Sequence, residues 1–213
     1  MDKTRVGMHC PMSRCEILAE KGTILLQYSL DRHEECFELA EAMNSRYMVL
    51  HTNGIKKMDA REVSYKKELL QERVMLLADM AKKYNCELWV ENVGFHKCGN
   101  IVADLEFYKN LILNNDNIYS LIDIGHAHVN GWDIPVLFRS LNKKIHGLHI
   151  HDNFGTNDQH LPVYQGNINW EPIFDSFQWL KNNCEMILEY APQTPQKDVV
   201  KGIEIIRTKY EDL

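Results

Sequence analysis

The stretch LIDIGHAHVNG, residues 121–131, starts as an apolar, strand-like run and ends in a cluster of residue types that bind metals, Asp123, His126 and His128. A second stretch, GLHIHDNFGTNDQHLPVYQG at residues 147–166, repeats this arrangement with three histidines and two aspartates. In α/β proteins the active site forms at the carboxyl ends of parallel strands. Two such clusters, each following a strand-like segment, therefore predict an α/β fold with a chemical site at the strand ends.

The whole chain alternates between short apolar runs and longer segments with helical periodicity. The strand-like runs are RVGMH, YMVLH, ELWVE, YSLID, IHGLHI and MILEY. Residues 68–84 show the helical pattern, because apolar residues recur there at steps of three and four: Leu70, Val74, Leu77, Ala81 and Tyr84. Alternating strands and helices predict a parallel sheet covered by helices. No linker or repeat interrupts residues 1–213, so we expect one domain.

Each strand-like run carries a candidate metal ligand at its carboxyl end. These residues are His9, His51, Glu91, Asp123, His149 and Glu189. In a (β/α)8 barrel all strand ends converge on one axis, and side chains two apart on a strand share a face, so His151 can join His149. A buried carboxylate without a partner is costly, which favours a bound metal. The alternatives are a helix cap at Glu91, a solvated loop at Asp123 and a lysine ion pair at Glu189.

Neighbouring polar residues extend this candidate site. His126 lies in a turn that contains a glycine, three residues after Asp123, and Asn92 either binds a substrate or closes its turn. Asp158 and His160 stand two residues apart in a loop. They are either further ligands, substrate contacts or ordinary polar loop residues. A mixture of carboxylates and imidazoles suits Zn²⁺ or Mn²⁺, with Co²⁺ or Mg²⁺ as alternatives, better than Ca²⁺, which prefers oxygen ligands throughout.

Composition limits the partners and the location that we expect. The net charge of −6 gives no field that would attract nucleic acid or an anionic membrane. Few basic residues occur in the loops after the strand-like runs: Arg14, Lys56, Lys57 and Lys97. No apolar run approaches the roughly 18 residues of a membrane span, and the N-terminus lacks the apolar core of a signal peptide. Six cysteines without a CxxC pair predict free thiols and a cytoplasmic protein.

Together these motifs resemble the xylose-isomerase-like TIM-barrel superfamily, which contains sugar isomerases, sugar epimerases and type-IV apurinic endonucleases. The resemblance spans nearly the whole chain and rests on HCP, VLHTNG, VENVG, DIGHAH, HIHDNFGTNDQHLPVYQGNINW and LEY, which follow one another in the family's order. It implies a (β/α)8 barrel and one divalent metal bound by Glu91, Asp123, His149 and Glu189. His149 is preferred to His151 because the family histidine stands three residues before an acidic residue, here Asp152.

The chain departs from the family pattern in its number of strands. A complete barrel has eight strands, whereas this sequence predicts about six. By motif order the first two are expected to be missing, because His9 matches the histidine of the family's third strand. An open barrel exposes strand edges, and we therefore expect a homo-oligomer. Because two strands are expected to be missing, an inactive barrel that only binds a metal or a sugar is a further alternative.

The resemblance implies a metal-dependent isomerase or epimerase that acts on a sugar or sugar phosphate by proton transfer through an enediolate. Glu91 and Glu189 would act as base and acid, and the residues that bind the substrate would be His126, His151 and Asn92. The alternative enzyme is a zinc phosphodiesterase that acts on abasic DNA, like the type-IV apurinic endonucleases. For that reaction the resemblance implies three zinc ions and supplies further ligands for them: His9, His51, His126, Asp158 and His160. The negative net charge argues against this alternative, because binding to DNA requires lysines and arginines near the phosphates.

Overall fold

Strands and helices alternate along the chain in the computed structural model, which describes residues 6–12, 14–52, 59–93, 102–180 and 184–211. Within these residues the strands are β1 (Gly7–His9), β2 (Tyr47–His51), β3 (Glu87–Glu91), β4 (Ile118–Asp123), β5 (Ile145–Ile150) and β6 (Glu185–Leu188). The α-helices are α1 (Ile24–Ala42), α2 (Ala60–Lys83), α3 (Leu105–Leu113), α4 (Ile124–Val129), α5 (Ile134–Leu141), α6 (Trp170–Asp175) and α7 (Gln196–Glu211). Two short 3-10 helices lie at Asn142–Lys144 and Ser176–Trp179. The chain forms two compact units, Met1–Tyr119 and Ser120–Leu213.

In the first unit, β1, β2 and β3 pair in parallel and bring their carboxyl ends to one edge. The register places His51 opposite Glu91 and His9 opposite Val49. The hydroxyl of Thr52 donates to the carbonyl of Glu91 at 3.1 Å, which ties the ends of β2 and β3 together. Three candidate ligands therefore lie at one end of this three-stranded sheet because of strand register alone.

Helix α2 covers this sheet and confirms the helix predicted from the apolar stripe. Four of the five stripe residues are 1% exposed or less: Leu70, Val74, Leu77 and Ala81. The fifth, Tyr84, lies just after the helix as its C-cap and is only partly buried. The helix begins at Ala60 rather than near residue 68, because a capping box precedes the stripe. The Asp59 carboxylate accepts the N–H of Glu62 at 2.9 Å, and the Glu62 side chain accepts the N–H of Asp59 at 3.0 Å.

In the second unit, β4, β5 and β6 also pair in parallel, with Asp123 opposite His149. All six residues of β5 are buried, as expected for a parallel strand that is covered on both faces. Asp123 has two structural roles, since it ends β4 and also caps α4 by accepting the N–H of His126 at 2.7 Å. The sequence DIGH thus turns directly from strand into helix and holds the aspartate at the strand end.

The long loop after β5 is anchored by the fully buried carboxylate of Asp152. Its oxygens accept the N–H groups of Asn153 at 2.8 Å and Ile168 at 3.2 Å, and the indole N–H of Trp170 at 2.8 Å. Backbone hydrogen bonds also join Asp152 to Leu161 in both directions, at 2.7 and 2.9 Å. Hydrogen bonds to a charged acceptor are the strong ones, so Asp152 fixes the loop that carries Asp158 and His160.

The six parallel strands and their helices confirm the predicted α/β class and the predicted strand number. The expectation of one domain over residues 1–213 stays a prediction, as does the expectation of a homo-oligomer. None of the described helices is both long enough and apolar enough to cross a membrane.

The substitution Gly166→Ala tests how closely the anchored loop is packed. A methyl group at Gly166 would lie 2.3 Å from Asp152 Oδ1 and 2.4 Å from the backbone oxygen of Asn153, so the loop would have to shift. We expect the free energy of unfolding, measured with urea, to fall by about 1–3 kcal/mol, the usual cost of overpacking. The neighbouring, exposed substitution Gln165→Ala should change it by less than about 0.5 kcal/mol. Equal losses in both variants would contradict the packing described for Gly166.

Candidate metal centres

In the first unit, His9, His51 and Glu91 form one group of candidate ligands. The Nδ1–H of His9 donates to the carbonyl of Cys10 at 2.9 Å, so the lone pair of this imidazole is on Nε2. That Nε2 lies 3.0 Å from His51 Nε2 and 3.6 Å from Glu91 Oε2, and His51 Nε2 lies 3.1 Å from the same oxygen. The side chain of Glu91 is 1% exposed, whereas the two histidines are about 30% exposed.

The spacing of this group fits a bound cation. His9 Nε2 and Glu91 Oε2 are both acceptors, and either the Nε2–H group of His51 or a metal ion can satisfy them. Nitrogen and oxygen ligands at about 2.0–2.1 Å from a tetrahedral Zn²⁺ lie about 3.3 Å from one another. The separations of 3.0 to 3.6 Å in this group bracket that value. The donor set therefore suits a divalent metal.

In the second unit, the ends of β4 and β5 and the residue after β6 bring together Asp123, His149 and Glu189. His149 Nδ1 lies 3.0 Å from Glu189 Oε2 and 3.7 Å from Asp123 Oδ2. Asp123 is fully buried, and the side chain of Glu189 is 41% exposed. One carboxylate thus lies inside the unit and the other at its surface, with an imidazole between them.

A second group in this unit surrounds the carboxylate of Asp158. His160 Nε2 lies 2.7 Å from Asp158 Oδ2, His126 Nε2 lies 3.3 Å from the same oxygen, and His151 Nε2 lies 3.6 Å from Oδ1. The Nδ1–H of His160 donates to the carbonyl of Glu189 at 2.7 Å, so its Nε2 faces the carboxylate with the lone pair or with an added proton. This arrangement needs a positive charge between His160 Nε2 and Asp158, which is either an added proton or a metal ion.

The pKa values of His160 and Asp158 reflect this need for a positive charge between them. The hydrogen bond with Asp158 raises the pKa of His160 to about 9, against the opposing effect of burial. Burial by itself raises the pKa of Asp158, but hydrogen bonds with His126 and His160 bring it well below its ordinary value. In the absence of a metal, the pair is therefore held as imidazolium and carboxylate at neutral pH.

His151 lies between the two groups of the second unit. Its Nε2 is 3.1 Å from both carboxylate oxygens of Asp123, and its ring stacks on that of His160 with 4.1 Å between centroids. The ring is fully buried, and its Nδ1 forms no hydrogen bond within the described part of the chain. A methyl group at Gly125 would lie 1.9 Å from His151 Cε1, so glycine is required beside this ring.

All the side chains proposed as ligands or substrate contacts lie within the described residues, and most of them join one of these groups. Asn92 follows Glu91 and is 1% exposed. The roles of Asn92, His126 and His151 in substrate binding stay predictions, as do the individual ligand assignments. Three of the four basic residues noted in the loops after the strands lie outside the described residues: Lys56, Lys57 and Lys97. Sequence analysis used Asp152 only to choose between His149 and His151 and assigned no role to Gly125, because the contacts of both residues depend on the folded loop and helix.

The pairing of Asp158 with His160 can be measured directly in protein freed of metal by a chelator. We expect the imidazole of His160 to titrate near pH 9 by NMR, and Asp158→Asn should return it toward the ordinary value of about 6.5 because the anionic partner is gone. Glu171→Gln removes an exposed carboxylate that pairs with Lys209. This control should leave the pKa of His160 unchanged. An unchanged titration in Asp158→Asn would refute the pairing.

Comparison with known proteins identifies the family expected from the motifs. Residues 1–209 match the family of xylose isomerase-like TIM barrels. Two relatives come from Methanocaldococcus jannaschii, both described as uncharacterized proteins. MJ1311 is 27% identical over 217 residues, which span 98% of this chain and 71% of the relative. MJ1614 is 27% identical over 170 residues, which span 76% of this chain and 62% of the relative.

Solved structures of similar proteins show the same fold. A D-tagatose 3-epimerase-like protein superposes with a TM-score of 0.82 at 21% identity, over 99% of this chain and 78% of its own. The IOLI protein with a bound zinc atom gives a TM-score of 0.76 at 15% identity, over 98% and 76% of the two chains. An AP endonuclease of family 2 from Brucella melitensis gives 0.70 at 18% identity, over 95% and 77%. The chain belongs to the xylose isomerase-like TIM-barrel family.

Proposed function

We propose that this protein is a metal-dependent isomerase or epimerase of a small sugar. The observation that carries the proposal is the set of imidazole and carboxylate acceptors that face one another at the strand ends of each unit, at spacings that suit a divalent metal. The similarity of the fold to a D-tagatose 3-epimerase-like protein supports a sugar substrate. Zn²⁺ and Mn²⁺ suit this mixture of donors, with Co²⁺ and Mg²⁺ as alternatives.

The ligands that we propose for this metal are Glu91, Asp123, His149 and Glu189. Support comes from the motif order of the family and from the general rule that strand ends in a TIM barrel converge at its active face. In the second unit, the close approach of His149 to Glu189 and the burial of Asp123 agree with shared binding of one cation. In the first unit, Glu91 ends β3 and is buried, as expected of a ligand rather than of a solvated cap.

A bound divalent ion would polarise the carbonyl of the sugar and make the neighbouring C–H group more acidic. The Glu91 carboxylate then removes the proton from that carbon, and the Glu189 carboxyl delivers a proton to complete the shift through an enediolate. The two residues suit different tasks, since Glu91 is shielded from water and Glu189 is open to it. Hydrogen bonds from His126, His151 and Asn92 would orient the hydroxyl groups of the substrate.

A zinc phosphodiesterase is the second candidate function, and one observation favours it. The His9, His51 and Glu91 group and the group around Asp158 each suit a cation of their own, which gives the chain more candidate ligands than a single-metal isomerase needs. Similarity to the AP endonuclease of family 2 from Brucella melitensis is consistent with this second candidate. The net charge of −6 is unfavourable for a DNA substrate, so we place the isomerase first.

Metal content separates the two functions. We expect protein purified without chelators and analysed by mass spectrometry to carry about one tightly bound ion per chain if it is an isomerase, and about three if it is the phosphodiesterase. Asp123→Ala should lose the tightly bound ion, because it removes a buried ligand. Asp133→Ala, which removes only the cap of α5, should retain it. Full occupancy in Asp123→Ala would remove Asp123 from the ligand set.

The substitution Glu189→Gln tests the proposed reaction. The wild-type protein, loaded with Mn²⁺, should convert at least one ketohexose of a panel and incorporate deuterium from solvent at the carbon beside the carbonyl. In Glu189→Gln we expect kcat to fall by at least about 100-fold, since a proton-transfer group is lost, while circular dichroism stays unchanged. Glu185→Gln, at the other end of β6, should keep most of the activity. Unimpaired turnover by Glu189→Gln would exclude the role proposed for this residue.

A further inference from the structure

The first unit contains a cavity of about 240 Å³ beside its group of candidate ligands. The residues that line it are Cys10, Pro11, Met12, Cys15, Glu16, Ile17, His33, Leu50 and His51. For comparison, an apolar cavity of about 150 Å³ is large enough to bind benzene. The space therefore suits a small organic molecule or one end of a larger one.

His33 provides a polar atom for such a ligand. It lies on α1, is 2% exposed and lines the cavity. Its Nδ1 lies 2.6 Å from the carbonyl of Ser29, and because a carbonyl only accepts, Nδ1 carries the hydrogen. Burial lowers the pKa of His33, so the ring is neutral and Nε2 is an acceptor. The hydrogen bond found for this ring among the described residues is that of Nδ1, so Nε2 can accept a hydrogen bond from a ligand in the cavity.

The rest of the lining determines what charge the ligand can have. Cys10, Cys15 and Leu50 are buried and offer sulfur and aliphatic surface. Glu16 is the charged residue among the described lining residues, apart from the histidines, and its Oε1 accepts the N–H of Leu18 at 3.0 Å. Neither lysine nor arginine occurs among these described lining residues, and the Glu16 carboxylate would repel a phosphate.

The position of the cavity connects it to the candidate metal ligands. His51 lines the cavity and also faces His9 and Glu91 through its Nε2. A molecule held at that group can therefore extend into the cavity without leaving the first unit. His33, on α1, lines the same cavity.

From these contacts we infer that the cavity receives the uncharged end of the substrate, with a hydroxyl group donating to His33 Nε2. This inference rests on the proposed sugar isomerase or epimerase and narrows its substrate to an unphosphorylated sugar. A terminal hydroxymethyl group fits the space and can donate to His33 Nε2, whereas a terminal phosphate would meet the Glu16 carboxylate with neither lysine nor arginine among the described lining residues.

The kinetic test uses the Mn²⁺-loaded protein with free ketohexoses and with the corresponding 6-phosphates. We expect turnover of a free sugar and at least tenfold lower kcat/KM for its phosphate. His33→Phe, which keeps the ring but removes the acceptor, should raise KM about tenfold with little change in kcat, the effect of losing one hydrogen bond in binding. His33→Gln, which restores an acceptor, should recover part of this loss. Equal use of the phosphate, or an unchanged KM in a folded His33→Phe variant, would overturn the inference.

A second measurement does not depend on turnover. Alkylation of Cys10 and Cys15 by iodoacetamide, mapped by peptide mass spectrometry, should slow when D-tagatose, D-psicose or D-fructose fills the cavity, and should not slow with their 6-phosphates. Cys184 in the second unit is also buried and is the internal control, whose rate should stay constant. Protection without turnover would reject the proposed reaction but keep the cavity assignment. Absence of protection by every free sugar would reject the cavity assignment even if one of them is turned over.

Discussion

In each unit the strand ends bring acceptor atoms close together, and a proton donor or a metal ion must lie among them. In the first unit, His9 Nε2 and Glu91 Oε2 both lie close to His51 Nε2, and in the second unit, His160 Nε2 faces the carboxylate of Asp158. Strand register and the loop anchored by Asp152 hold these residues near one another. A proton can satisfy each group, but a divalent ion satisfies several acceptors at once. Metal binding should therefore be linked to folding stability as well as to catalysis.

Asp123 shows how local structure and site chemistry are joined in one residue. Its carboxylate caps α4 through the N–H of His126 and holds the ring of His151 through Nε2. His151 in turn approaches Asp158, so the two groups of the second unit share an intermediate imidazole. Withdrawal of charge from Asp123 by a metal would weaken its bond to His151. Occupancy of one group should thus alter the affinity of the other, in either proposed function.

The sequence predicted the features that follow from short-range rules. The alternation of strands with helices and the polar residues at the strand ends were enough to place Asp123 and His149 at neighbouring strand ends, because register within a parallel sheet is regular. The apolar stripe predicted the later turns of α2 but not its first turns. Residues 60–67 do not continue the stripe, and only the capping box marks the start of the helix. The contact of His151 with Asp123 could not be derived, because strand periodicity gives a side chain's face but not its partner. His33 was missed because its cavity forms only when α1 packs on the loop after β1.

The two candidate functions differ in the charge that the same ligands present to a substrate. Taken together, the candidate ligands include four carboxylates: Glu91, Asp123, Asp158 and Glu189. One divalent ion leaves this set with a net negative charge, which suits a neutral polyhydroxylated substrate and repels a phosphodiester. Three divalent ions make the net charge positive and could bind a phosphate without lysine or arginine. In the two proposed functions, the number of bound metal ions would therefore determine which class of substrate can bind. The cavity beside His51, whose described lining contains the Glu16 carboxylate but neither lysine nor arginine, agrees with the state in which fewer ions are bound.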